Sequence, residues 1–354
     1  MWTTHKMRFL LFFLSNLTTY SYFSSLNHSL LSPQGSPKVL SAQAIERELP
    51  QQLEDLTTLN ILLLGFGGPG HEGGYLTDVI QLAHFDFKNH LLALISIPRD
   101  LWVTLPSGAS NKANGTFLTD SKNQTDGKIF KADSTQSMVS VITGLPVDYF
   151  IAIDFVGFQR LIGKELGNIK VEVSETLSDP WYPVRGLELE TCGLTPDEVA
   201  QLTAKFSGFE LEKHFPCRYE HIRFDKGVVS MEGGDALAFV RSRHSSSDFD
   251  RSARQQAVIT ALKNRLLSLD LVDNLPDLFK KISRHVHTDL DLNILDYLAP
   301  ALETVGDFKV ININLSTDNV LSSSTANSGA FILVPKTGTN DWEAIHQYID
   351  QQIN

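Results

Sequence analysis

Arg251, Arg254 and Gln255 fall at i, i+3 and i+4 of a helical pattern running from Arg251 to Leu267, so the three side chains share one face of its first turn. That end of a helix already carries free backbone N–H groups and the positive end of the dipole, so two arginines there need an anion nearby. Two sources remain open: Asp248 or Asp250 as N-cap, or a bound phosphate or pyrophosphate, whose oxygens match the planar fork of arginine. Arg241 and Arg243 lie just upstream and could equally form a solvated helix end. Two further clusters accompany this block. Thr77-Asp78 opens an apolar run just after a glycine-rich loop, and Ser96-Ile97-Pro98-Arg99-Asp100 closes another, with Pro98 stopping the strand and leaving Arg99 at its rim. Alone, Asp78 reads as a turn residue and Arg99-Asp100 as a surface pair. Together, strand ends and a helix start are where α/β folds bind ligands.

The elements that must position these residues follow from hydrophobic period. Leu59–Leu64 is a continuous apolar run suited to a buried strand. Val79–Phe87 and Leu91–Ile97 read as a second and third strand, and the short Asn89-His90 junction suits a hairpin. Helical patterns follow at Ser134–Thr143 and Phe155–Leu166, then a strand at Ile169–Val173 and the Arg251–Leu267 helix. Helices at Leu275–Ile282 and Leu292–Leu302, strands at Phe308–Leu315 and Ala330–Val334 and a helix at Trp342–Ile349 complete the chain. Strands buried on both faces and interleaved with helices predict a layered α/β fold around a central, mostly buried sheet. The expected division is residues 1–31 as a signal anchor or signal peptide, 32–58 as a linker, 59–270 as the main domain, and 271–354 as an extension packing on it.

Bulk properties exclude several classes. A net charge of −11 argues against a general nucleic-acid binder. The two cysteines, Cys192 and Cys217, rule out a Cys-based zinc site and a CxxC dithiol, leaving a disulfide or two separate thiols. Gly65-Phe66-Gly67-Gly68-Pro69-Gly70 matches G-x-G-x-x-G, but too few residues separate it from the next strand for the helix such a fingerprint must open. At the N-terminus, His5, Lys6 and Arg8 precede the apolar run Phe9–Leu14, the pattern of a signal peptide or anchor. Basic residues on that flank would keep it cytoplasmic and place the rest outside.

The run Ile61–Gly65, Thr77-Asp78, Ser96–Asp100, Lys112-Ala113-Asn114, Asp148-Tyr149, Asp154-Phe155, and Ala236–Arg243 with Asp248–Gln256 resembles, in the same order, the LytR-CpsA-Psr family over roughly residues 59–267. The resemblance implies a membrane-anchored, extracytoplasmic enzyme with a three-layer α/β fold. Its reaction would move a glycan-phosphate from a polyprenyl pyrophosphate to a peptidoglycan hydroxyl, forming a phosphodiester and releasing polyprenyl phosphate. Carried over, Arg99, Arg241, Arg243, Arg251 and Gln255 would clamp the pyrophosphate, Asp78 would hold Mg²⁺ (or Mn²⁺) or act near the attacking hydroxyl, and the lipid would lie in an apolar groove. Such chemistry needs charge neutralisation and in-line positioning more than a nucleophilic side chain. The chain departs from the pattern at Gly67, where an aspartate contributing to metal binding is usual, at Leu76 in place of an arginine, and near Gly163 in place of an aspartate. Either Glu72 or His71 on the glycine loop substitutes for the missing ligand, or metal binding is weaker. The departures leave two other readings: a non-catalytic binder or regulator of lipid-pyrophosphate intermediates, and a hydrolase of the same pyrophosphate.

Overall fold

In a computed structural model, residues 55–71, 73–105, 108–122, 131–242, 248–269 and 275–354 are described. They belong to one unit, Val39–Asn354. The expected anchor and most of the linker, together with Glu72 and Arg243, lie outside the described residues. The chain order is β1 (Thr58–Phe66), β2 (Thr77–Asp86), β3 (Leu91–Ser96), β4 (Trp102–Thr104), β5 (Ser110–Lys112), α1 (Thr116–Lys122), α2 (Asp133–Thr143), β6 (Tyr149–Asp154) and α3 (Phe155–Arg160). Next come β7 (Ile169–Val173), β8 (Leu177–Pro183), α4 (Pro196–Lys205), α5 (Gly208–Glu212), β9 (Tyr219–Phe224), β10 (Gly227–Met231), α6 (Gly233–Arg241) and α7 (Asp248–Ser268). The remainder is α8 (Leu275–Ile282), β11 (Val286–Thr288), α9 (Leu292–Glu303), β12 (Lys309–Asn314), β13 (Leu321–Thr325), β14 (Phe331–Pro335) and α10 (Glu343–Ile353).

Six strands form the central sheet in the order β11-β6-β1-β2-β3-β12. It is mixed: β1 pairs parallel with β6 and β3 with β12, whereas β1–β2, β2–β3 and β6–β11 are antiparallel. The apolar run of β1 serves both faces, because successive side chains alternate. Leu62, Leu64 and Phe66 pack against α1, α2 and α10 through Phe117, Met138, Val139 and Ile345. Leu59 and Ile61 face the opposite layer, where Leu295 and Leu298 of α9 lie. The three-layer αβα architecture expected from the sequence is therefore present, and two of the six strands come from beyond residue 270.

Several boundaries differ from the periodicity. The Phe155–Leu166 helix is α-helical only to Arg160 and continues as a π-turn over Leu161–Leu166. Sequence reading missed the lobe of β8, α4, α5 and β9 between Leu177 and Phe224. Its hairpin carries Pro180 and Pro183, and α4 has no fully buried residue, so neither shows a clear period. A Cys192–Cys217 disulfide staples that lobe.

Candidate functional site

The glycine-rich loop between β1 and β2 is a closed turn, not a phosphate-binding helix start. Gly68 N–H donates to Gly74 O at 2.8 Å, and β1 and β2 then pair antiparallel, so no βαβ unit exists here. Gly68 has φ +82°, and a Cβ there would come within 2.8 Å of Asp154 Cβ, so only glycine lets the loop lie on the end of β6. Asp154 itself is committed: its Oδ1 accepts from Gly157 N at 2.7 Å as N-cap of α3, and Oδ2 meets His285 Nδ1 at 3.0 Å.

At the adjoining strand ends, Arg99 Nη1 donates to Asp78 Oδ1 at 2.8 Å and its Nε lies 3.4 Å from Asp100 Oδ2. Lys112 Nζ holds the other Asp100 oxygen at 2.6 Å. The Asp78 side chain remains 41% exposed, so this pair is open to an incoming ligand.

The arginines of α6 and α7 divide into two kinds. Arg254 is structural: its Nε donates to Phe239 O at 2.8 Å and its Nη2 to Ser242 O at 2.7 Å. It thus caps the last carbonyls of α6, a favourable place for a cation. Burial lowers its pKa from the usual arginine value. Ser242 is pinned from the other side, donating through Oγ to Asp179 Oδ2 at 2.6 Å. The result fixes Arg241, which stacks over the Phe155 ring at 4.4 Å and places its charge near the Tyr182 hydroxyl. Burial raises the pKa of that hydroxyl, and the Arg241 charge opposes the shift. Gln256 ties α7 to the sheet, donating to Leu94 O at 3.1 Å and Asn314 Oδ1 at 2.9 Å, which sets the roll of the helix. That roll turns Arg251 and Gln255 toward the strand ends.

Three cavities meet there. An apolar groove of about 370 Å³ runs between the sheet and α7, α8 and α9, floored by Leu63, Ala83, Leu94 and Ile151. A mouth of about 330 Å³ shares Gly65, Val79, Ile153, Phe158, Val240 and Gln255 with the groove and adds Asp78, Tyr182, Arg241 and Arg251. A side chamber of about 320 Å³ shares Asp78, Arg251 and Gln255 with the mouth and is bounded by Arg99 and Asp100. The structure thus gathers Asp78, Arg99, Arg241, Arg251 and Gln255 around one point. Sequence reading missed Tyr182 and Asp179, which sit in the aperiodic lobe, and Thr317, Ser323 and Phe331 of the chamber, which carry no motif.

Charge and shape suit an amphiphile with an anionic head. They do not suit a metal cage built from protein ligands alone: among the described residues no three His, Cys, Asp or Glu side chains converge. His71 packs edge-on against Phe155 at 5.2 Å, and burial, followed by the nearby Arg185 and Arg241 charges, lowers its pKa. A Cβ on Gly67 would lie 3.0 Å from His71 Cβ, so an aspartate there would need His71 to give by a few tenths of an ångström.

Comparisons with known proteins bear on the family and the fold. The LytR_cpsA_psr family model matches residues 30–338. The polyisoprenyl-teichoic acid–peptidoglycan teichoic acid transferase TagV of Bacillus subtilis is 25% identical over 239 residues, 65% of this chain; the match spans only 49% of TagV. The regulatory protein MsrR of Staphylococcus aureus is 22% identical over 83% of this chain and 75% of its own length. The crystal structure of B. subtilis TagV superposes with a TM-score of 0.56 at 22% identity, covering 84% of this chain and 97% of that one, which is a likeness of fold.

Proposed function

The chain belongs to the LytR-CpsA-Psr family, and from that premise we propose that it transfers a glycan-phosphate from a polyprenyl pyrophosphate carrier to a hydroxyl of peptidoglycan. The observation that carries the reading is the junction of an apolar groove with an arginine-lined mouth at Arg241, Arg251 and Gln255. A polyprenyl chain fits the first and a pyrophosphate the second.

The acceptor oxygen attacks the phosphorus bearing the glycan, the bond from that phosphorus to the bridging oxygen breaks, and polyprenyl phosphate leaves with the acceptor's proton. Arg99, Arg241 and Arg251 neutralise the charge that builds on the phosphoryl oxygens, and the rigid caps behind them remove the cost of reorganisation. Arg243 would join them from outside the described residues. Asp78, beside Arg99, accepts a hydrogen bond from the attacking hydroxyl. Magnesium commonly takes one or two carboxylates plus substrate phosphates. Here Asp78 would be its protein ligand, with Glu72 a second if it reaches the seat. When bound, the ion would supply further neutralisation of the phosphates.

An extracytoplasmic location, with residues 1–31 as a single-pass anchor in the cytoplasmic membrane, is part of the proposal. The disulfide supports it, since such bonds persist in oxidising compartments. Among the described residues no helix is long and apolar enough to cross a membrane. The second reading, a binder or regulator, draws on the absence, among the described residues, of a group of three His, Cys, Asp or Glu side chains that could hold a metal ion.

The deciding experiment supplies the full chain in detergent with a short polyprenyl-pyrophosphate disaccharide and a peptidoglycan fragment, with and without Mg²⁺, and follows polyprenyl phosphate release. Coupled product is expected, falling at least about a hundredfold in Arg99→Ala, as for loss of a transition-state charge clamp. Asp78→Asn should lower turnover while leaving donor binding intact. Arg99-dependent binding without product would establish the binder, and release without coupling the hydrolase.

A further inference from the structure

Beyond Asp78, Arg99, Arg251 and Gln255, the side chamber is lined by residues with no part in the transfer described above, and its walls differ from those of the mouth. It meets the apolar groove only at Gln255, whereas the mouth shares six lining residues with it. From the groove, the chamber therefore lies behind the Asp78, Arg251 and Gln255 side chains. Its outer wall is the β13–β14 hairpin, which contributes Ser323, Phe331 and Leu333, with Thr317 from the preceding loop. Phe331 is 53% exposed at this rim. The hairpin is held in register with the reacting groups: Leu333 N–H donates to Asp100 O at 3.0 Å, and Leu101 and Leu333 form a parallel bridge. Leu315 N–H donates to Ser96 O at 3.3 Å, tying down the loop before it.

We propose that this chamber is the acceptor subsite, taking a saccharide of the acceptor glycan with a sugar face against Phe331, hydroxyls toward Ser323 and Thr317, and the attacking hydroxyl toward Asp78. The assignment rests on the transferase reading and on the geometry of displacement at phosphorus. Attacking and leaving oxygens must lie on opposite sides of the phosphorus. The leaving polyprenyl phosphate is held by the groove and its mouth, so the attacking oxygen has to arrive from the far side of Asp78 and Arg251. The chamber opens there. An aromatic face bordered by hydroxyl side chains suits a sugar, which offers one apolar face and a polar edge, better than it suits a polyprenyl chain or a phosphate.

The test uses the full chain in detergent with the polyprenyl-pyrophosphate disaccharide as donor and a soluble peptidoglycan fragment as acceptor. Phe331→Ala and, to fill the chamber, Ser323→Trp are compared with wild type for acceptor KM, donor Kd and thermal midpoint. Phe331→Ala should raise the acceptor KM about fivefold, the scale of one aromatic contact, and Ser323→Trp should raise it further, with donor Kd within about twofold of wild type and unchanged melting. Unchanged acceptor KM in both folded variants, while wild type forms product, would overturn the subsite alone. A weakened donor Kd with unchanged acceptor KM would assign the chamber to the donor glycan instead. No coupled product from wild type would overturn the transferase reading, and the subsite with it.

Discussion

Replacing Arg254 by alanine should cost stability first and donor affinity only as a consequence. Its guanidinium donates to Phe239 O at 2.8 Å and to Ser242 O at 2.7 Å. A bond to a charged group contributes about 1.5–3 kcal/mol. Two of them give an upper figure near 6 kcal/mol, but burying the guanidinium offsets part, and water entering the vacated space would solvate the carbonyls. About 3 kcal/mol is the net loss expected. For a folded unit of this size, with an unfolding entropy of about 2.1 cal/mol/K per residue, that lowers the melting temperature by about 4–5 °C. Arg254→Lys keeps the charge on a single point donor and should recover about half of the loss. The assay pairs a thermal melt with donor binding measured well below both melting points. Arg251→Ala, one turn position away, should show the opposite balance, with a large loss of donor affinity. An Arg254→Ala protein that melts within about 2 °C of wild type yet no longer binds donor would refute the capping role and make Arg254 a ligand residue.

Donor affinity should rise with each isoprene unit added, by up to about a thousandfold if all five carbons are buried at about 0.8 kcal/mol each, until the groove is full, and then level off; titration with donors of increasing prenyl length checks this, and a flat series would remove the lipid from the groove. Burial against Phe66 and Tyr75 lowers the pKa of His287 below its usual 6.5, so the folded protein keeps it neutral where the unfolded chain is protonated. Its stabilising contribution is complete above pH 6.5 and is lost as pH falls from there through the lowered folded pKa. Urea midpoints measured against pH should therefore fall more steeply in that window for wild type than for His287→Gln; equal slopes would contradict it. Removing the Cys192–Cys217 link, which spans 25 positions, by the double serine substitution should cost about 3 kcal/mol through the loop it closes. Chemical denaturation measures that loss, and an unchanged midpoint would mean the lobe is held by its packing instead.

What the sequence by itself determined is what depends on local period and covalent order. The runs at Leu59–Leu64 and Leu91–Ile97 can be satisfied only by strands covered on both sides, and the short Asn89-His90 junction permits only a hairpin, so the layered sheet follows from sequence alone. The failure of the glycine-rich loop as a nucleotide fingerprint was equally legible, because ten residues between β1 and β2 leave no room for a crossover helix. The order of Asp78, Arg99, Arg241 and the α7 arginines also marked where an anion would sit. Tertiary structure alone decided what each of them does. Arg251 and Arg254 share a helix face and a chemistry, and only the placement of the α6 carbonyls makes one a cap and leaves the other at the cavities. Cys192 and Cys217 bond because an aperiodic lobe folds them together. Thr317, Ser323 and Phe331 line one chamber with Asp78 because the β13–β14 hairpin bonds to Asp100, more than two hundred residues earlier in the chain. Such contacts depend on how packed elements meet, and no local spacing in a single chain encodes that.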